Sequence, residues 1–338
     1  MRGGNWIASL DPCYHEFNMN KYILLTLVVA LSSSQLISTE LTRAIYISEP
    51  MLLTKPRFEQ IFNEARQVKI DTFIVDMNRP SEAYASQIRK IKDAKLRYVA
   101  RVVMFPGGGN AEQIHSKNYW ENKYRLVESA IAYGADEIQL DYIRYASKNR
   151  PSHQNAMDVH EVIKWFKAKL APQNIPLQID VFGIAAKGES LYIGQDLRLF
   201  AESVDVMCPM TYPSHFEPFL PHFKAPYKAM KELLTDLNRQ FNSQLPFRVN
   251  PYIEMYNYHY TMNDAQRQDY IRAQIQAAQD TGADGWYAWS PGNNYKTLFQ
   301  VLKADDAKGT RREAMPLRKA KSETPLSLLD TPLWSKYL

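Results

Sequence analysis

Four carboxylates stand at or near the ends of short apolar runs. They are Asp76 after Thr72-Phe-Ile-Val, Asp141 after Glu137-Ile-Gln-Leu, Asp180 within Leu177-Gln-Ile-Asp-Val-Phe182, and Glu254 after Phe247–Ile253. Glu49, after the first run, is a weaker fifth. One strand-end Asp alone caps a loop or pairs with an arginine such as Arg101 or Arg144. Several converging on one face do more, because like charges raise one another's pKa and set up acid–base chemistry. Their surroundings are aromatic: Tyr142, Tyr145, Tyr212, Tyr252, Tyr256, Tyr258, Tyr260, Trp286 and Trp289 all follow or end such runs. Sugar rings present apolar faces edged by hydroxyls, so flat rings beside carboxylates suit them. Any single ring reads equally well as core filling; the bias to one end is the signal.

Other chemistries lack their parts. His215 and His222 have no partner at metal-ligand spacing, and no CxxC or HExxH occurs, so no metal is expected. There is no GxSxG elbow, and Cys208 sits in an apolar run without an activating base. Nucleophilic Ser or Cys hydrolysis is therefore disfavoured. No cofactor is required.

The elements that must hold these residues alternate in type. Eight apolar runs (Ala44–Ser48, Thr72–Asp76, Tyr98–Phe105, Glu137–Asp141, Leu177–Phe182, Val204–Cys208, Phe247–Ile253, Gly285–Trp289) each precede a stretch of helical period. Those stretches are Arg57–Lys69, Ser81–Lys95, Asn118–Tyr133, Ala156–Leu170, Gly194–Ala201, Ala225–Phe241, Asp264–Asp280 and Tyr295–Lys303. Ser81 is placed to cap a helix start, and Gly134 and Gly282 to stop one. Eight βα units predict a single-domain α/β fold, a (β/α)8 TIM barrel, with its chemistry where strands run out into βα loops. Gln139 and Asp141 then share the interior face. A doubly wound open sheet is the rival, but it brings a Gly-rich phosphate loop after its first strand, and Ser48-Glu49-Pro50 is not one. Gly107-Gly108-Gly109 has no GK[ST] behind it and reads as a flexible loop.

Charge narrows the partners. Lys and Arg number 41 against 36 Asp and Glu, and the surplus of +5 is dispersed, so no nucleic acid is expected. Residues 22–31 form a strongly apolar run, too short to span a bilayer and suited to a signal-peptide core. Met19-Asn20-Lys21 supplies its charged start and Ser32-Ser33-Ser34 its small residues. The expected organisation is an extension over 1–18 before a true start at Met19, a signal peptide over 19–40, the barrel over 41–304, and a basic, proline-containing tail over 305–338. No lipobox cysteine lies near the apolar run, so export without a stable membrane anchor is expected. Oligomeric state is not set by these features.

Several strings resemble one family. Asp136-Glu-Ile-Gln-Leu-Asp-Tyr-Ile-Arg-Tyr145, Asp180-Val-Phe-Gly183, Pro209-Met-Thr-Tyr-Pro-Ser-His215 and Gly285-Trp-Tyr-Ala-Trp-Ser290 are similar to the glycosyl hydrolase domain DUF4015, with gaps, from about residue 43 to residue 303. The first and third strings are the specific ones. The chain departs from the pattern after its third run, where Phe105-Pro-Gly-Gly-Gly109 replaces a charged residue. The resemblance implies a TIM-type barrel related to carbohydrate-cleaving enzymes, with Asp141 as leading catalytic candidate. Glycosidic cleavage takes two carboxyl groups, and Asp180, Glu254 and Asp76 are the candidate partners. Arg144 and Tyr142 are expected to orient a carboxylate, and Tyr212, His215, Tyr252, Trp286 and Trp289 to line sugar subsites. The reading is an exported enzyme cleaving a polysaccharide or oligosaccharide. Its alternative is a carbohydrate-binding barrel without catalysis, recognisable by the absence of a second carboxyl within roughly 5–9.5 Å of the first. A phosphate-handling barrel would need donors after the last two strands; Pro291-Gly-Asn-Asn294 offers backbone N–H groups but no basic side chains.

Overall fold

The computed structural model describes residues 41–256 and 260–307. The expected extension, signal peptide and nearly all of the tail, with Tyr258, lie outside the described residues. The strands are β1 (Thr42–Ile47), β2 (Thr72–Asp76), β3 (Arg97–Val103), β4 (Glu137–Asp141), β5 (Leu177–Phe182), β6 (Val206–Met210), β7 (Arg248–Val249), β8 (Tyr252–Glu254) and β9 (Gly285–Trp289). All pairings are parallel; β9 pairs with β1 and β5 with β6, so the sheet closes on itself. Closure excludes the open doubly wound sheet. The expected seventh strand is split into β7 and β8 because Pro251 between them has no N–H to give the ladder. Eight staves thus form one TIM barrel.

The two-residue period of each strand sorts side chains between two cores. Ile45, Phe73, Ala100, Leu140, Ile179 and Trp286 face outward and pack against the surrounding helices. Ala44, Ile74, Val99, Val206, Cys208, Tyr252 and Tyr287 fill the interior. Below them the buried Glu137 is ion-paired to Arg97 and to Arg248, at 2.9 Å from the latter. A hydrogen-bonded layer of Gln139, Gln178, Tyr252 and Tyr287 lies above it. The barrel bottom and middle are therefore sealed, which leaves the strand C-termini as the open end.

Local signals place the helices. Ser81 accepts from the Tyr84 N–H at the start of Glu82–Asp93, and Asn263 forms a reciprocal cap with Gln266 before Asp264–Asp280. Gly134 and Gly282 carry φ of +93° and +72° after the helices they end. The helix expected from Ala156 starts earlier, at His153, behind the cap of Ser152. That expected over Gly194–Ala201 shrinks to Leu197–Phe200. Short helices at Glu49–Leu53 and Ala111–His115 carry too few residues to show a period. The last helix, Lys296–Ala307, runs past the expected boundary at 304. Among the described residues no helix is long and apolar enough to cross a membrane.

The glycine run after β3 is not the flexible loop expected. Gly109 donates to the Arg144 carbonyl at 2.9 Å, and Ala146 donates back to Gly109 at 3.0 Å. Gly108, at φ +99°, lies where a Cβ would come within 2.6 Å of the Ala146 backbone. Absence of a side chain here permits close approach of two loops, the other being the one that follows Asp141.

Candidate active site

At the open end β2, β3, β4 and β5 bring three carboxylates around one guanidinium. Asp76 pairs with Nη1 of Arg101 and Asp141 with Nη2, while Asp180 Oδ2 lies 3.7 Å from Nε. All four side chains are buried. Burial works against the charge on Arg101, and Asp141, Asp76 and Asp180 more than offset it, so its pKa stands well above the ordinary arginine value. The Arg101 guanidinium also packs over the rings of Tyr46 and Trp289, at 5.3 and 5.2 Å from their centroids.

The three carboxylates are not equivalent. Asp76 is enclosed by Arg101 and by the Tyr46 hydroxyl, which donates to it at 2.5 Å. Asp141 accepts from the N–H of Tyr142 at 2.6 Å, a contact made possible by the left-handed φ of +52° at Tyr142. That conformation costs about 1 kcal/mol in a non-glycine residue, and here it fixes the carboxylate. Asp180 is wholly buried, and its Oδ1 has no hydrogen-bond partner among the described residues. Burial, with the charges of Asp141 and Asp76, pushes its carboxyl well above the ordinary range despite the opposing pull of Arg101. An ion-paired carboxylate thus stands next to a carboxyl whose pKa is pushed well above the ordinary carboxylate range.

These groups open into a cavity of about 690 Å³. Asp141, Asp180, Tyr142, Tyr212, His215, Tyr252 and Trp289 all line it, as does Arg101. Tyr46, Phe182, Ile184, Met210, Phe216, Glu217 and Phe219 line it too, although the sequence did not single them out. Tyr46 has a readable signal, since the period of β1 turns it inward beside Ala44. Phe216, Glu217 and Phe219 belong to the long segment after β6, which has none.

Five expected site residues lie elsewhere. Trp286 faces the outer layer, on the opposite side of β9 from Trp289. Arg144 does not orient a carboxylate: its Nη1 donates to the Tyr145 carbonyl at 2.8 Å, and its guanidinium packs over Tyr142 and Phe182. Asp76 sits behind Arg101, outside the cavity lining. Glu49, the weaker fifth carboxylate, accepts from the N–H groups of Asn78 and Arg79 and so caps the loop after β2. Among the described residues no group of three or more His, Cys, Asp or Glu could hold a metal ion.

Glu254 is the fifth. It is completely buried and accepts from Ser214 N–H at 2.9 Å, from Ser214 Oγ at 2.8 Å and from the Tyr270 hydroxyl. Burial pushes its carboxyl up to about 7, against those three donors. Between its ordinary 4.5 and about 7, the folded chain keeps a proton that the unfolded chain releases. Stability therefore falls as pH rises across that window, and the cost is complete above it. Glu254→Gln fits the same donors, because Ser214 Oγ can accept from the amide. Thermal melts from pH 5 to pH 8 should show a shallower decline for Glu254→Gln than for the parent, with Asp180 supplying the remainder. An unchanged slope would mean that Glu254 is ionised throughout.

The geometry has counterparts. A family model described as "Putative glycosyl hydrolase domain" (DUF4015) matches residues 108–295, narrower than the span over which the sequence strings resemble it. Solved structures share the fold at low identity. A class V chitinase from Pseudomonas fluorescens Pf-5 is 12% identical with a TM-score of 0.57, over 78% of this chain and 99% of that one. A chitinase from Chromobacterium violaceum is 12% identical with a TM-score of 0.55, over 79% and 99%. The Bacillus cereus spore cortex-lytic enzyme SleL is 14% identical with a TM-score of 0.55, over 78% and 74%. No curated protein matches the sequence.

Proposed function

The chain belongs to the DUF4015 glycosyl hydrolase domain family, and from that membership we propose that it is an exported glycoside hydrolase whose carboxyl pair is Asp180 and Asp141. One observation carries the reading: a buried carboxyl with a raised pKa and an ion-paired carboxylate, on neighbouring strands, share one guanidinium at the floor of an aromatic-walled cavity. Asp180 gives its proton to the glycosidic oxygen as the bond from that oxygen to the anomeric carbon breaks. Asp141 either attacks the anomeric carbon or takes a proton from the water that does. Arg101 and the Tyr142 N–H hold Asp141 in place. Trp289, Tyr142 and Tyr212 offer faces for the sugar rings. Substrates of this shape are at hand among the fold's relatives, whose names include chitinases and a cortex-lytic enzyme. The test is release of new reducing ends when the purified protein meets bacterial envelope and secreted polysaccharides. Its alkaline limb should follow deprotonation of Asp180, so the rate should fall as pH rises through that group's elevated value.

Export rests on the apolar run at 22–31 and its charged start. Since β1 begins at Thr42, cleavage anywhere between Ser33 and Leu41 leaves every strand intact. N-terminal sequencing of the protein recovered from cells should find its start in that interval. Residues 1–40 intact on the major species would contradict export.

A further inference from the structure

Among the described residues the cavity has one arginine and no lysine on its wall, and the arginine is already spoken for. Arg101 is paired with Asp76 and Asp141 and faces Asp180. His215, also on the wall, lies 3.9 Å from Glu254. Against this stands Glu217, a half-buried carboxylate on the wall that makes no hydrogen bond or ion pair with the described residues. A ligand entering this space meets a carboxylate that lacks a donor and, among the described residues, no arginine or lysine that lacks a counter-ion.

We infer that Glu217 makes the site select glycans carrying free amino groups, hexosamines without their acyl substituent, over neutral sugars, and reject uronate or sulfate esters. The inference rests on the carbohydrate reading above and specifies its substrate. A protonated amine gains a charge-assisted hydrogen bond from the Glu217 carboxylate. Phe182, Phe216 and Trp289 add ring faces that attract cations. An anionic substituent finds the carboxylates of Asp141 and Glu217 instead and is repelled by them. Sequence offered no hint of this, because Glu217 lies outside every periodic run.

The experiment compares four β-1,4-linked gluco-configured tetramers that differ only at C2, bearing an amine, an acetamide, a hydroxyl or an N-sulfate. Calorimetric titration should give the amine tetramer about tenfold tighter binding than the acetamide or hydroxyl ones, and the N-sulfate the weakest. Added salt should narrow the gap, since Glu217 is partly exposed. Glu217→Gln should bring the amine-to-acetamide ratio close to one, and Glu217→Asp should restore part of it. Thermal midpoints of both variants check the fold, and Glu217 makes no hydrogen bond or ion pair with the described residues whose loss would shift them. Equal binding of all tetramers, or a ratio unmoved in Glu217→Gln, would overturn the charge selection while leaving a sugar site. Binding of none would overturn the carbohydrate reading itself, and this inference with it.

Discussion

Replacing Arg101 with methionine is expected to cost the barrel about 3–5 kcal/mol, the scale for removing one partner of a buried ion pair. Its guanidinium is the shared counter-charge of Asp76 and Asp141 and the nearest cation to Asp180. Without it, carboxylates remain in a space that water barely reaches. Methionine fills much of the volume, so the loss is electrostatic rather than a cavity effect. The penalty should shrink as pH falls, because protonation removes the unpaired charge. Lysine should recover only part, since an ammonium cannot serve two carboxylates and a third neighbour in the fork geometry of a guanidinium. Urea unfolding at pH 7 and at pH 5 measures both points. A Met variant within 1 kcal/mol of the parent at pH 7 would mean that the carboxylates find other partners.

The second large effect is chemical. Asp141→Asn keeps the size and the contact with the Tyr142 N–H but removes the charge, and the Arg101–Asp76 pair survives to hold the fold. Asp180→Asn replaces the proposed acid with a neutral amide of the same shape that has no proton to give. Each should lower turnover by about 10²-fold or more, the usual scale for a positioned acid or base. Asp180→Asn should also abolish the alkaline limb of the pH profile. The double variant should be little worse than either single one, because the two groups serve one transition state. By contrast Glu254→Gln, which lies outside the cavity lining, should keep most activity. Reducing-end assays on one substrate, with thermal melts as folding controls, separate these outcomes.

Much of this architecture was legible in the chain, for physical reasons. Alternating runs of period 2 and period 3.6 demand βα units, and eight of them close into a barrel. The same period aims Asp76, Asp141 and Asp180 inward at the strand ends. It also separates Trp289 from Trp286, three residues earlier on the other face, although the aromatic count alone grouped them. What stayed hidden depends on loops. Glu254 lies outside the cavity lining because Ser214, in the segment after β6, engages its carboxylate. Arg144 turns from the carboxylates to the Tyr145 carbonyl, and its own carbonyl accepts from Gly109 where the glycines after β3 let two loops meet. Glu217 lies in a stretch without periodicity. Arg101 was readable as a partner for a carboxylate, but not as the hub of three, since that requires the barrel's closure to bring β2, β4 and β5 around it.

The central claim is that the paired carboxyls cleave a glycosidic bond, and one measurement meets it directly. Reducing ends are counted over time as the purified protein acts on a glycan that it demonstrably binds, beside Asp141→Asn at equal occupancy. The account predicts ends that accumulate with the parent protein and fall by about 10²-fold or more with the variant, while both stay folded and bound. Tight binding without release of ends by the parent, or near-full release by a folded Asp141→Asn, would contradict it, the first of these leaving a carbohydrate-binding barrel in place of an enzyme.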